Sequence, residues 1–134
     1  MPIQYDETNW PFVVVTIPPE VISDREFAEH LDRMSAYFER GERFGLVIDA
    51  RDAQPLSADR RRQVAERLDH DIEQHGDRLI GTGVALSSAI GRGVFKVIQW
   101  MSKASHPMMS FDTVDAALEW LKTLRLRAAQ ARRG

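Results

Sequence analysis

The stretch Phe44-Gly45-Leu46-Val47-Ile48-Asp49-Ala50-Arg51 decides how this chain is read. Up to Asp49 it is apolar at consecutive positions, the pattern of a strand buried on both faces of a sheet. Helix signals flank it on both sides. Upstream, Ser23-Asp24-Arg25-Glu26 is a capping box, with a serine N-cap and a glutamate at the third helical position. Phe27, Leu31, Met34 and Phe38 then recur at spacings of four, three and four, which is one helical face, and Gly41 stops the run. Downstream, the loop 51–56 leads to Ser57, a second N-cap. The helix it opens carries Val64, Leu68 and Ile72 inward and Arg60, Arg61, Arg62, Glu66, Asp69 and Glu73 on its wet side, and it ends near Gly76.

The same alternation continues outward. Residues 12–17 form a β-branched, apolar strand that Pro18-Pro19 ends, because proline cannot donate to a sheet ladder. Residues 3–7 form a short strand before it. The turn Thr8-Asn9-Trp10-Pro11 between the two makes this strand antiparallel and places it at an edge. Residues 79–87 form the next strand, with Gly81 and Gly83 inside it to let a helix approach the sheet. Ser87 or Ser88 opens a helix to about Lys103 with Ile90, Val94, Val97, Ile98 and Met101 as its stripe. Residues 106–111 form a short strand. Thr113 caps a last helix whose inward face is Val114, Ala117, Leu118 and Leu121, with fraying expected beyond Leu126. The spacing predicts an α/β domain over residues 1–126, with a four- to five-stranded, mostly parallel sheet, four helices and a basic tail at 127–134.

Composition bounds the function. The chain has 134 residues, 43% hydrophobic and 28% charged, which fits one globular domain rather than a disordered segment. It has no cysteine, which removes disulfides, thiolate zinc sites and a cysteine nucleophile, and agrees with a cytoplasmic setting. No apolar run approaches the ~20 residues that span a bilayer, and the opening MPIQYDE has no signal-peptide pattern. Net charge is −2. From Trp120 onward there are five basic residues (Lys122, Arg125, Arg127, Arg132 and Arg133) and no acid. The remainder is acidic, which does not suggest a nucleic-acid partner. Cations at the end of a helix favour the negative end of its dipole.

The chain resembles the SpoIIAA-like group, which includes STAS domains and lipid-binding Sec14 modules, and in particular its small uncharacterised bacterial members. The likeness covers nearly the whole chain. It rests on Tyr5-Asp6 and Trp10-Pro11; on 44–51 as quoted above; on Gly83-Val84-Ala85-Leu86 leading into Ser88-Ala89 and Arg92-Gly93; on His106-Pro107; and on the closing Phe111-Asp112-Thr113-Val114-Asp115-Ala116-Ala117-Leu118-Glu119-Trp120-Leu121. The resemblance implies a (βα)n arrangement and a protein that docks partners or binds small ligands without catalysis. It also implies a phosphorylatable serine at the start of the helix after the second long strand, the place of Ser57. The family's switch is an Asp-Ser pair followed shortly by Gly, whereas this chain reads Pro55-Leu56-Ser57-Ala58-Asp59.

Several constellations are weighed on their own chemistry. A phosphate on Ser57 would meet free backbone N–H groups, with Arg60, Arg61 and Arg62 in sequence reach. A serine N-cap also explains Ser57 unaided. Asp49 and Asp52 stand at the carboxyl end of a strand, where carboxylates can hold Mg²⁺ or make local hydrogen bonds in a loop. Gly81-Thr82-Gly83 lacks the third glycine of a dinucleotide loop, and Ile90-Gly91-Arg92-Gly93 lacks the spacing of a phosphate loop, so no cofactor is expected. His70 and His75 are five apart, not the four of a zinc pair, and no metal is expected. Phe95 and Trp100 flank the stripe of their helix, and Trp120 and Leu124 lie off the stripe of theirs. Phe95, Trp100 and Trp120 are therefore candidates for a partner or homodimer surface.

Ligands of open α/β sheets sit beyond the carboxyl ends of the strands. The rim expected there comprises Pro18, Asp49, Arg51, Asp52, Ser57, Ser87, Ser88 and Arg92. The leading expectation is a non-enzymatic binding or regulatory module that works by protein docking or self-association. Two alternatives stand beside it: a carrier of a small lipophilic ligand, which needs an apolar cavity, and an Mg²⁺-dependent phosphohydrolase using Asp49 and Asp52.

Overall fold

The computed structural model describes residues 2–87, Lys96 and 106–133. Among them, five strands and three α-helices alternate along the chain. They are β1 (Gln4–Asp6), β2 (Phe12–Thr16), α1 (Asp24–Glu39), β3 (Phe44–Asp49), α2 (Ala58–His75), a 3-10 turn (Gly76–Arg78), β4 (Leu79–Ala85), β5 (Met108–Phe111) and α3 (Val114–Arg133). Apart from Lys96, the helix expected over 88–103 lies outside the described residues, and so do Ser88, Arg92, Phe95 and Trp100.

The strands lie side by side in chain order, β1 to β5, in one sheet. β1 runs antiparallel to β2, as the tight turn between them requires, and β2, β3, β4 and β5 run parallel. The register slips once. Phe44 pairs with Leu79 but Gly45 pairs with Gly81, so Ile80 is the extra residue.

The sheet separates two apolar layers. On one face, Val13, Val15, Phe44, Leu46 and Leu79 meet Tyr37 and Phe38 of α1, with Leu68 and Ile72 of α2 packed alongside. Phe38 stands edge-on to Phe44, with ring centroids 5.0 Å apart. On the other face, Phe12, Val47 and Ile80 meet Ala117 and Leu121 of α3. Alternation along β2 splits the set: Val13 and Val15 serve the first layer, Phe12 and Val14 the second. α3 therefore covers the face that α1 and α2 leave open.

Helix ends follow the capping signals. The Ser23 hydroxyl accepts from the Glu26 amide at 3.1 Å, the Ser57 hydroxyl from the Arg60 amide at 3.2 Å and the Thr113 hydroxyl from the Ala116 amide at 3.1 Å. Gly41 and Gly76 take φ values of +82° and +67°, the left-handed backbone that ends a helix.

Two expectations change. The last helix is drawn through Arg133 rather than ending near Leu126, and 127–133 is built from Ala, Arg and Gln with no breaker before Gly134. Trp120 and Leu124, placed off its stripe from periodicity, pack into the core layer beneath α3. The turn after β1 is fastened to α1 through Glu7. Its carboxylate accepts from Arg33 at 3.0 Å, Tyr37 at 2.9 Å and Arg40 at 2.6 Å.

Candidate functional site

The carboxyl ends of the parallel strands bring three of the expected rim residues together. Asp49 ends β3. Its two carboxylate oxygens accept from Arg51 Nε at 2.9 Å and Nη2 at 3.0 Å, a two-point ion pair. Its side chain is 14% exposed and that of Arg51 41%, so the pair has an inner anion and an outer cation. The Arg51 hydrogen bonds hold the Asp49 carboxyl below the ordinary carboxylate range, against the opposing effect of burial. Ser87, just beyond β4, donates its hydroxyl to the Arg51 carbonyl oxygen at 2.6 Å. Backbone bonds extend the seam, since the Asp49 carbonyl accepts from Ile17 and the Ala85 carbonyl from Ala50, each at 3.0 Å.

Asp52 is exposed beside this pair, and the fields of Asp52 and Asp115 both favour the Arg51 cation. Asp115 lies in the first turn of α3. It was not a candidate from sequence, because nothing in the order of residues shows α3 starting next to the end of β3. Pro18 is buried, and Gln54 ties the neighbouring loops by donating to the Pro19 carbonyl at 3.0 Å.

Ser57 is exposed and caps α2. The three arginines after it are already engaged. Arg60 pairs with Asp24 at 2.9 Å and lies over the Phe27 ring, Arg61 donates to the Leu56 carbonyl at 2.7 Å, and Arg62 pairs with Asp59 at 3.5 Å. Arg61 Nε–H is buried without an acceptor among the described residues. Trp120 is half-buried, with its ring centroid 5.4 Å from that of Phe111.

A second polar cluster occupies the groove between α1 and α2, about 510 Å³ in volume. It is lined by Asp32, Ser35, Glu39, Arg67, His70, Asp71 and His75. Ser35 donates to Asp71 Oδ2 at 2.8 Å, and Arg67 Nη1 reaches Asp32 at 2.9 Å and the Ser35 hydroxyl at 3.3 Å. Asp71 is only 4% exposed, and burial pushes its carboxyl up. Sequence reasoning missed it, although the signal was present. Asp71 stands three residues after Leu68 and seven after Val64, so an acid interrupts the apolar stripe of α2.

Near β1 a third contact couples Tyr5 and His30, with the hydroxyl 2.9 Å from Nδ1 and the rings stacked. Burial raises the Tyr5 hydroxyl to about 12 and lowers His30 to about 4, so both are neutral at physiological pH.

Among the described residues no three His, Asp or Glu side chains stand together as a metal cluster, and no helix is long and apolar enough to cross a membrane. Compared with known proteins, the chain matches no protein-family model, no curated protein and no solved structure.

Proposed function

We propose that this protein is a cytoplasmic, non-enzymatic binding or regulatory module of the STAS/SpoIIAA-like kind, and that it docks a protein partner through the rim around Arg51. One observation carries the reading: Asp49, Arg51 and Ser87 form a pre-built latch at the carboxyl edge of the sheet, with the guanidinium on the outside. A cation held rigidly by an inner carboxylate is oriented before any partner arrives, which reduces the ordering cost of binding. Asp52 and Asp115 flank it, so the rim presents a patterned surface to a partner carrying an acceptor opposite Arg51. The sequential order of the strands agrees with the (βα)n arrangement that the family resemblance implies. Ser57, exposed at the start of α2, is the candidate phosphorylation point within that reading.

The test is affinity capture from the native host with the wild-type chain, Arg51→Glu, and Arg25→Glu as a surface control on α1. A partner retained by wild type and Arg25→Glu and lost by Arg51→Glu supports rim docking. An identical set of captured proteins with Arg51→Glu overturns it.

A further inference from the structure

We propose that the outer face of α3 is a self-association surface, on which α3 of a second copy of this chain lies antiparallel. The face borders the rim at Asp115 but does not depend on the docking reading.

α3 packs one side against the sheet through Ala117 and Leu121, with Leu118 and Leu124 alongside. On the opposite side Asp115, Glu119, Lys122, Leu126 and Ala129 recur at spacings of four, three, four and three, which is a single stripe along the helix. All five are exposed. Leu126 is 65% exposed, unlike the other leucines of α3, which are buried or half-buried.

Charge is segregated along this helix. Residues 114–121 hold two acids, Asp115 and Glu119, and no base. Residues 122–133 hold five bases, Lys122, Arg125, Arg127, Arg132 and Arg133, and no acid. The helix dipole favours such an order only within the first and last turns. Lys122 and Arg125 stand well before the last turn of α3, so the dipole does not account for them. Their contacts within the chain are slight. Lys122 meets Glu119 at 3.3 Å in an exposed pair, and the Arg125 guanidinium carbon lies 5.8 Å from the centre of the Phe12 ring.

The occupant follows from the pattern. Turning this helix end for end exchanges its acidic and basic halves, so the stripe is its own complement. Two antiparallel copies set the acidic turns of each against the basic turns of the other, twice by symmetry, with Leu126 of both near the middle of the seam. A parallel pair would set acid on acid and base on base. The net charge of the whole chain is only −2, so two copies do not strongly repel. A single pair of helices is a small interface, which makes the dimer weak and sensitive to ionic strength.

The test is sedimentation equilibrium of the full chain over a concentration series at low and high salt. A monomer–dimer equilibrium that salt weakens supports the proposal. Glu119→Lys brings like charges together at both ends of the seam and should weaken association about tenfold. Leu126→Ser should weaken it severalfold. Both positions are exposed, so circular dichroism should show an unchanged fold. An equimolar mixture of Glu119→Lys with the double variant Arg132→Glu, Arg133→Glu should associate more tightly than either alone. Arg51→Glu should associate as wild type does, which keeps a failure of rim docking distinct from a failure of this surface. A monomer at every concentration, association that salt strengthens, or an unchanged dimer in a folded Glu119→Lys or Leu126→Ser chain would overturn the proposal. Loss of the dimer in Arg51→Glu would also overturn it, by moving the contact to the rim.

Discussion

Gly83 of β4 and Ala117 of α3 are in such close contact that a Cβ added at position 83 would stand 2.9 Å from the Ala117 Cβ. Gly81 and Gly45 continue the strip, where added carbons would meet Leu124 Cδ1 at 3.0 Å and Leu121 Cδ1 at 3.1 Å. Three glycines on two neighbouring strands thus make the seat on which α3 lies, and α3 in turn brings Asp115 to the rim around Arg51.

Gly83→Ala should therefore destabilise the fold by about 1–3 kcal/mol, because the obstructing atom is a short side chain fixed on a helix and cannot swing away. Gly45→Ala should cost less, since flexible leucine methyls can shift. Urea denaturation of both variants measures the difference. Equal stability of Gly83→Ala and wild type would mean that α3 does not sit this close.

Glu7 anchors the turn after β1 to three donors on α1. The Arg40 hydrogen bond, followed by those from Tyr37 and Arg33, lowers its carboxyl to about 2. A depressed carboxylate stabilises the fold above its unfolded pKa near 4.5, and that stabilisation is lost as pH falls towards 2. Glu7→Gln should be less stable than wild type at neutral pH, with the gap closing under acid. Denaturant midpoints at neutral and acidic pH check this, and a gap that widens in acid refutes the anchor.

His30 works in a higher window. Burial lowers it from 6.5 to about 4, so the folded state resists its protonation. The stabilisation is complete above 6.5 and is lost as pH falls through 4. His30→Gln retains a hydrogen-bonding partner for the Tyr5 hydroxyl and removes the titration. Its stability should fall less steeply than wild type between those two values. Direct titration of the imidazole by NMR should give a midpoint near 4.

Ser57 separates a cap from a switch. Ser57→Ala should lose ~1 kcal/mol of stability through the missing bond to the Arg60 amide, while Ser57→Asp keeps a cap. If phosphorylation regulates docking, Ser57→Asp changes partner capture at unchanged thermal stability. Capture identical to wild type leaves the cap as the function of Ser57.

The self-association surface expected from Phe95, Trp100 and Trp120 is tested by Trp100→Ala. A lower association constant in sedimentation supports it, and unchanged solution mass together with unchanged thermal stability removes it.

Local chemistry was legible residue by residue. The hydroxyls of Ser23, Ser57 and Thr113 start helices and the positive φ of Gly41 and Gly76 ends two of them, because caps act over three or four residues and need no distant partner. The β-branched runs at 12–17 and 44–50 gave two central strands to within a residue. Asp49, Arg51 and Ser87 were placed on one rim because parallel strands end together. Periodicity names the apolar face of a helix but not its edges, so Tyr37, which is buried, and Trp120 and Leu124, which are half-buried against the core, fall outside the stripes read from spacing.

The order of residues alone determined the alternation of strands and helices, the caps, the antiparallel first strand and the charged ends of the strands, all consequences of short-range sterics and hydrogen bonding. Tertiary structure decided which face each helix covers, that Glu7 would gather three donors from α1, that Asp115 would face Arg51, and that Asp71 would be enclosed between two helices. Those relations join residues far apart in the chain, 36 positions for Ser35 and Asp71 and 64 for Arg51 and Asp115. Only packing around a common core sets such distances.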